Sequence, residues 1–187
     1  MRIITGILKG RNIPVPETGE LRPTADRTKE AIFNVIHARR YFDGCRALDL
    51  FAGSGNLGFE AISRGVDQVQ FVEANGIHSS QIRSLARSFD IESRVTVLQK
   101  PVEEYLQTTP TPFDLIFCDP PYDYPLIEQM LRTILEKGWL NPEGWFILEH
   151  DKRHNFENHP DCFHAKAYGR TTVSMFEKQP AHNASGS

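Results

Sequence analysis

From Arg46 onward one pattern recurs along this chain: a short apolar run, a turn rich in Gly, Asp or Pro, then a longer stretch with apolar residues at helical spacing. The apolar runs are 47–51, 68–73, 94–98, 113–119 and 144–150, and the helical stretches between them are about 56–64, 75–89, 101–108 and 125–137. Successive strands joined by helices must run parallel, because each crossover returns the chain to the same edge, and right-handed crossovers place helices on both faces. After Glu149 the helical pattern stops. The segments CFHAKAY and TTVSMFEK, joined around Gly169-Arg170, read as a closing β-hairpin that adds antiparallel pairing at one edge. The expected architecture is α/β, a doubly wound, mostly parallel, seven-stranded Rossmann-like sheet.

Ahead of this unit, residues 1–45 form a different kind of segment. Two β-prone runs, RIITGIL and RNIPV, flank Lys9-Gly10 and predict a small hairpin or extended arm. The segment LRPTADRTKEAIFNVIHARR follows, with Pro23 and Asp26 ahead of Ile32, Val35 and Ile36, and predicts a capped amphipathic helix. The 45 residues carry eight Lys or Arg against five Asp or Glu, a local +3, while the rest of the chain carries −6 and the whole −3. That balance excludes a protein that holds nucleic acid by bulk positive charge, yet leaves a basic arm suited to phosphates, with Arg2, Lys9, Arg11, Arg22 and Arg27 as candidate contacts.

Other classes fall away on composition. The cysteines Cys45, Cys118 and Cys162 are odd in number, far apart and without a CxxC pair, so neither a disulfide framework nor a zinc ribbon is indicated, and a reducing cytoplasm fits. No apolar run approaches the ~20 residues of a membrane span, and the opening MRIITGILKG lacks a signal peptide's apolar stretch. Neither membrane association nor a metal is expected. His150, His154 and His159 fall in a polar stretch and read as solvated loop residues, and Ser54 does not sit in a GxSxG elbow because position 52 is alanine.

Two motifs carry chemistry. The first strand runs into Asp49-Leu50-Phe51-Ala52-Gly53-Ser54-Gly55-Asn56-Leu57-Gly58, a GxGxxG between strand and helix. Glycines there permit a tight turn and close approach of a ligand to backbone. Glu73 ends the next strand, 20 residues beyond Gly53, where a carboxylate can accept both hydroxyls of a ribose. An adenosine-containing cofactor follows. Asp49, four residues before Gly53, would repel a pyrophosphate and suits a cofactor bearing an ammonium, such as S-adenosyl-L-methionine, better than a dinucleotide.

The second motif, Asp119-Pro120-Pro121-Tyr122, ends the fourth strand at the same carboxyl edge. The prolines fix the backbone, so that the Asp119 carboxylate and the Pro120 carbonyl form a rigid pair of acceptors, and Tyr122 offers a flat face. A planar heterocycle with an exocyclic amine would stack on Tyr122 and give its two N–H bonds to these acceptors. Holding both N–H bonds stabilises the positive charge that develops on nitrogen as a sulfonium methyl arrives in line.

With both motifs in place the chain resembles a class I S-adenosylmethionine-dependent methyltransferase, and in particular the bacterial family that methylates the 2-amino group of a guanine in small-subunit ribosomal RNA. The resemblance rests on MRIITGILKGRNIPVP, on Arg22 to Glu30 leading to Phe33-Asn34, on LDLFAGSGNLGFEAISRG, on Glu73, on DPPY and on YGRTTVSMFEK. It implies that Asp49, Gly53, Gly55, Glu73 and the adjoining Ala74 contact the cofactor, and that Asp119, Pro120, Pro121 and Tyr122 hold the target amine. Arg22, Thr24 and Arg27 would lie beside the site, at the cofactor's methionine end or on the RNA backbone. Where such enzymes usually carry Asp or Asn after the third strand, this chain has Pro101, so the adenine contact passes to the backbone of Val102 or Glu103. The resemblance implies one methyltransferase domain over 1–187: a basic extension (1–45), a catalytic core (46–178) and a frayed tail (179–187). Its partner would be small-subunit rRNA or the assembling subunit. Three other readings stay open: methylation of an adenine 6-amino group, a nicotinamide-dependent oxidoreductase, and a non-catalytic RNA-binding module.

Overall fold

A computed structural model describes residues 1–15 and 23–178. Arg22 and the tail 179–187 lie outside the described residues, as does the side chain of Thr24. The elements are α1 (Pro23–His37), β1 (Arg46–Leu50), α2 (Asn56–Ser63), β2 (Gln68–Val72), α3 (Gly76–Ser88), β3 (Val95–Leu98), α4 (Val102–Tyr105), β4 (Phe113–Cys118), α5 (Ile127–Glu136), β5 (Leu140–Asp151), β6 (Cys162–Tyr168) and β7 (Thr171–Glu177). They form one seven-stranded sheet in the order β3-β2-β1-β4-β5-β7-β6. β1 to β5 pair in parallel, and β7 pairs antiparallel with both β5 and β6. The reversal of strand order at β1/β4 puts a crevice at the carboxyl ends of β1, β2 and β4, where open α/β sheets bind ligands.

Side chains alternate across the sheet, and the two faces build two cores. On one, Ala47, Phe71, Leu115, Phe117 and Ile147 pack against α1, α2, α3 and the arm. On the other, Leu48, Leu50, Ile116, Cys118 and Phe146 pack against α5, whose buried residues Ile127, Met130, Leu131, Ile134 and Leu135 fall on one helical stripe. Each large apolar side chain buried in this way contributes about 1.5–3 kcal/mol.

The structure departs from the sequence reading in four places. The arm turns back on itself as expected, but among the described residues it forms one isolated antiparallel bridge, Arg2 with Asn12, in place of two paired strands. Besides its own backbone hydrogen bonds, such as Ile3 N–H to the Arg11 carbonyl, it bonds to α2, with Ile4 and Thr5 N–H donating to Glu60 and Leu8 N–H to Ser63 Oγ. The helix expected over 101–108 is a single turn, 102–105. β5 begins at Leu140, four residues earlier than the apolar pattern indicates, crossing a register shift opposite Phe113/Leu115 and a left-handed Glu143 (φ 63°). Lys29, counted with the basic surface, is 1% exposed and held by Glu60, by the Arg2 carbonyl and by Asn56 Oδ1.

Candidate active site

β1 delivers the glycine loop. Phe51, the first residue past β1, adopts a left-handed backbone (φ 54°), a conformation that costs a non-glycine residue about 1–2 kcal/mol. Its ring packs edge-on against Tyr124, centroids 5.0 Å apart, so the loop after β1 is braced against the loop after β4. Gly53 and Gly55 follow with φ 54° and 80°. Among the described residues a Cβ on Gly53 would meet only the Phe51 carbonyl oxygen, at 3.9 Å, so these residues leave the space above this backbone open. Gly58 does a different job. A Cβ there would come within 2.2 Å of Phe71 and 3.0 Å of Asp49 Oδ2, so this glycine lets α2 sit directly on the sheet.

The acidic residues frame the loop. Glu73, 9% exposed at the end of β2, accepts from Gly53 N–H at 2.7 Å and from Asn75 N–H at 2.8 Å. One carboxylate thus fixes the loop while its remaining lone pairs stay available for a ribose diol. Asp49 is buried and its Oδ2 accepts from Gly58 N–H at 2.9 Å. Burial pushes its pKa well above the usual carboxylate range, the Gly58 hydrogen bond opposes this, and Asp119 and Glu73 add to the rise. A cationic group nearby would restore the charged form. Ala74 is exposed at the rim, whereas the Val102 side chain is buried in the α5-side core, which leaves its backbone to meet a ligand. Pro101 caps α4 with no side-chain hydrogen bond.

Asp119 is exposed and Pro120 buried at the end of β4, one strand from the glycine loop. Tyr122 is 45% exposed and its hydroxyl lies 3.2 Å from Thr171 Oγ1 at the start of β7. Arg153, paired with Asp151, donates to the Tyr122 carbonyl. The turn is therefore tied to β5 and β7 as well as to its own strand.

Sequence reasoning missed two features here. Glu149, at the end of β5, lines the same crevice as Asp119, Pro120 and Tyr122. Burial pushes its pKa well above the ordinary value, with Asp119 and Asp49 contributing. Strand order, which sequence alone does not specify, is what brings it beside Asp119. The second is the placement of the cations. Arg27 is exposed on the first turns of α1, the helix end on the side of the sheet's carboxyl edge, where Lys29 meets Asn56 at the start of α2, and Arg2 is exposed on the arm beside it. Lys9 and Arg11, however, lie at the arm's far tip, next to Ser63 and Phe89 at the opposite edge of the sheet. Exposed Lys152 and Arg170 occupy the rim at the sheet's carboxyl edge instead, because β5 ends and β7 begins there.

Of the three histidines in the 150–159 stretch, His150 is placed differently from the sequence reading. His150 is 5% exposed and bridges the Asp151 carbonyl (2.8 Å) and Ser174 Oγ (2.9 Å), with burial holding its pKa below the ordinary value. Among the described residues no group of three His, Cys, Asp or Glu is arranged to hold a metal ion, and no helix is long and apolar enough to cross a membrane.

Comparison with known proteins matches residues 1–177 to the family described as conserved hypothetical protein 95. The ribosomal RNA small subunit methyltransferase D of Haemophilus influenzae is 36% identical over 156 residues, covering 81% of this chain and 79% of its own length. The protein of the same name from Escherichia coli K12 is 32% identical over 183 residues, covering 96% and 90%. Among solved structures, the Escherichia coli protein yhhF superposes with a TM-score of 0.83 at 29% identity, covering 96% of this chain and 99% of that one. A hypothetical protein from a Thermus species gives 0.81 at 27% identity, covering 95% and 99%.

Proposed function

The chain belongs to the conserved hypothetical protein 95 family, and from that membership we propose that it transfers a methyl group from S-adenosylmethionine to the 2-amino group of a guanine in small-subunit ribosomal RNA. It is a methyltransferase with the Rossmann-like fold of its relatives. The observation that carries the substrate reading is the Asp119-Pro120-Pro121-Tyr122 turn, held rigidly at the carboxyl edge one strand from an open glycine loop.

The residues fit the cofactor. The space that the described residues leave above Gly53, the spare acceptor capacity of Glu73 and the buried carboxyl of Asp49 match an adenosyl group, a ribose diol and an ammonium respectively. When bound, S-adenosylmethionine supplies an electrophilic methyl carbon whose bond to sulfur breaks as the amine bonds to it. Asp119 and the Pro120 carbonyl accept the two N–H bonds of that amine, aim its lone pair and stabilise its growing positive charge. Asp119 or water then takes the proton shed when the amine becomes secondary. Tyr122 stacks on the base, which must leave its helix to reach it.

The test is transfer of labelled methyl to unmodified small-subunit rRNA or subunits, followed by nucleoside analysis. Labelled 2-methylguanosine is expected, and Asp119→Ala should lower the rate by at least about 100-fold with cofactor affinity nearly unchanged. Label in 6-methyladenosine, or an active Asp119→Ala enzyme, would overturn the reading.

A further inference from the structure

We propose that Glu149 selects the base, its carboxylate accepting the N1–H of guanine while Asp119 beside it accepts from the 2-amino group. This rests on the reading of the site given above. Strand parity sets the direction of the side chains. Ala47, Leu115, Phe117, Trp145 and Ile147 all belong to the core on the α1 side of the sheet. Asp49 and Glu149 stand two residues further along β1 and β5, so both leave on that same face, and Asp119, one residue past β4, lines one crevice with Glu149. Register does the rest. Cys118 pairs with Leu148, so Asp119 and Glu149 each come directly after the last pair of the β4–β5 ladder, and both line one crevice. Among the described residues no hydrogen bond or ion pair engages the Glu149 side chain, although it is half-buried.

Two neighbouring carboxyls in a half-dry crevice repel each other, and this repulsion adds to the rise in proton affinity that burial imposes on Glu149. A ligand that presents two N–H donors on adjacent atoms relieves that repulsion. Of the four RNA bases only guanine has this pattern, an imino N1–H directly beside an exocyclic amine. Adenine and cytosine set their amines next to a ring nitrogen with a lone pair, which would face Glu149 acceptor to acceptor, and uracil has no amine. Asp119 and Pro120 recognise an amino group; Glu149 supplies the choice of base.

The test uses the shortest small-subunit rRNA substrate that the wild-type enzyme methylates, with guanosine or 2-aminopurine riboside at the modified position. The analogue keeps the amine and lacks N1–H. Wild type should prefer guanosine by about 10- to 100-fold in kcat/KM, the worth of one hydrogen bond to a charged acceptor. Glu149→Ala should lose that factor on guanosine and stay within about threefold of wild type on 2-aminopurine, so the preference collapses. Glu149→Gln, whose amide oxygen still accepts, should recover part of it. Any other difference between the two bases, such as the missing O6, cancels in this comparison. A Glu149→Ala enzyme that keeps the wild-type preference, or slows equally on both bases, would overturn the assignment. If instead the wild-type enzyme makes no 2-methylguanosine, the reading of the site itself has failed.

Discussion

Replacing Glu60 by glutamine should destabilise the protein far more than an exchange of one oxygen for one amino group suggests. Glu60 is fully buried in α2, and its two oxygens serve four donors. Oε2 accepts from Ile4 N–H at 2.8 Å and lies 3.3 Å from Lys29 Nζ, while Oε1 accepts from Thr5 N–H at 3.1 Å and Arg64 Nε at 2.8 Å. An amide in the same volume can accept on one side only, and turns two N–H bonds toward donors on the other. Either choice loses the counter-charge of Lys29, itself 1% exposed. Stranding one partner of a buried pair costs about 3–5 kcal/mol. Lys29 keeps the Arg2 carbonyl at 2.7 Å and Asn56 Oδ1 at 2.8 Å, so the lower end, about 3 kcal/mol, is expected. In urea unfolding at pH 7, with a slope near 2 kcal/mol/M, the midpoint should fall by about 1.5 M. Adding Lys29→Met removes the stranded ammonium and should recover at least about 1.5 kcal/mol, a coupling that independent sites would not show. A cost below about 1 kcal/mol, or strict additivity of the two changes, would refute this account of how the arm is fastened.

Three further outcomes are expected. Glu73→Ala should weaken cofactor binding about 10- to 100-fold by calorimetry, since one change removes both the ribose acceptor and the brace on Gly53, and unchanged affinity would dismiss the ribose role. Charge reversal of Arg170 or Lys152 at the catalytic rim should weaken RNA binding and reduce its salt slope by about one, whereas reversal of Lys9 or Arg11 should do neither, as filter binding across a salt series would show. His150 has its pKa held below 6.5 in the folded state, so the unfolded chain binds the extra proton first. Stability should therefore be fully present above pH ~6.5 and fall as pH drops toward the folded pKa, by up to about 1.4 kcal/mol per unit. His150→Gln should flatten that slope, leaving the share of His164, which burial also holds low.

Much of the fold could be read from the chain because each strand and helix announces itself locally. Leu48 and Leu50 face one core and Ala47 the other, and such runs buried on both faces belong to a parallel sheet. The glycine loop, Glu73 and the DPPY turn were visible because each needs particular residues at fixed offsets from a strand end. What stayed hidden depends on which strands become neighbours. Glu149 looks like an ordinary strand-end acid until β5 is set beside β4. Lys29 looks like surface charge until α1 is laid over Glu60, and Lys9 looks like a phosphate contact until the arm is seen to run away from the catalytic edge. The early start of β5 escaped notice because Asn141, Pro142 and Glu143 have loop character; Asn141 Nδ2 is held there by Asp114 at 2.9 Å.

The position of β7 has a consequence for the order in which the enzyme is born. This last strand is inserted between β5 and β6, and its first residue holds the Tyr122 hydroxyl. While the chain is still emerging from a ribosome, β5 has no partner on that side, and Trp145 to Leu148 form an apolar open edge. The Asp119–Tyr122 turn also lacks its Thr171 contact until β7 is in place. Covering the apolar edge of β5 and completing the contacts of this turn are therefore one late event in folding, both set by the insertion of β7.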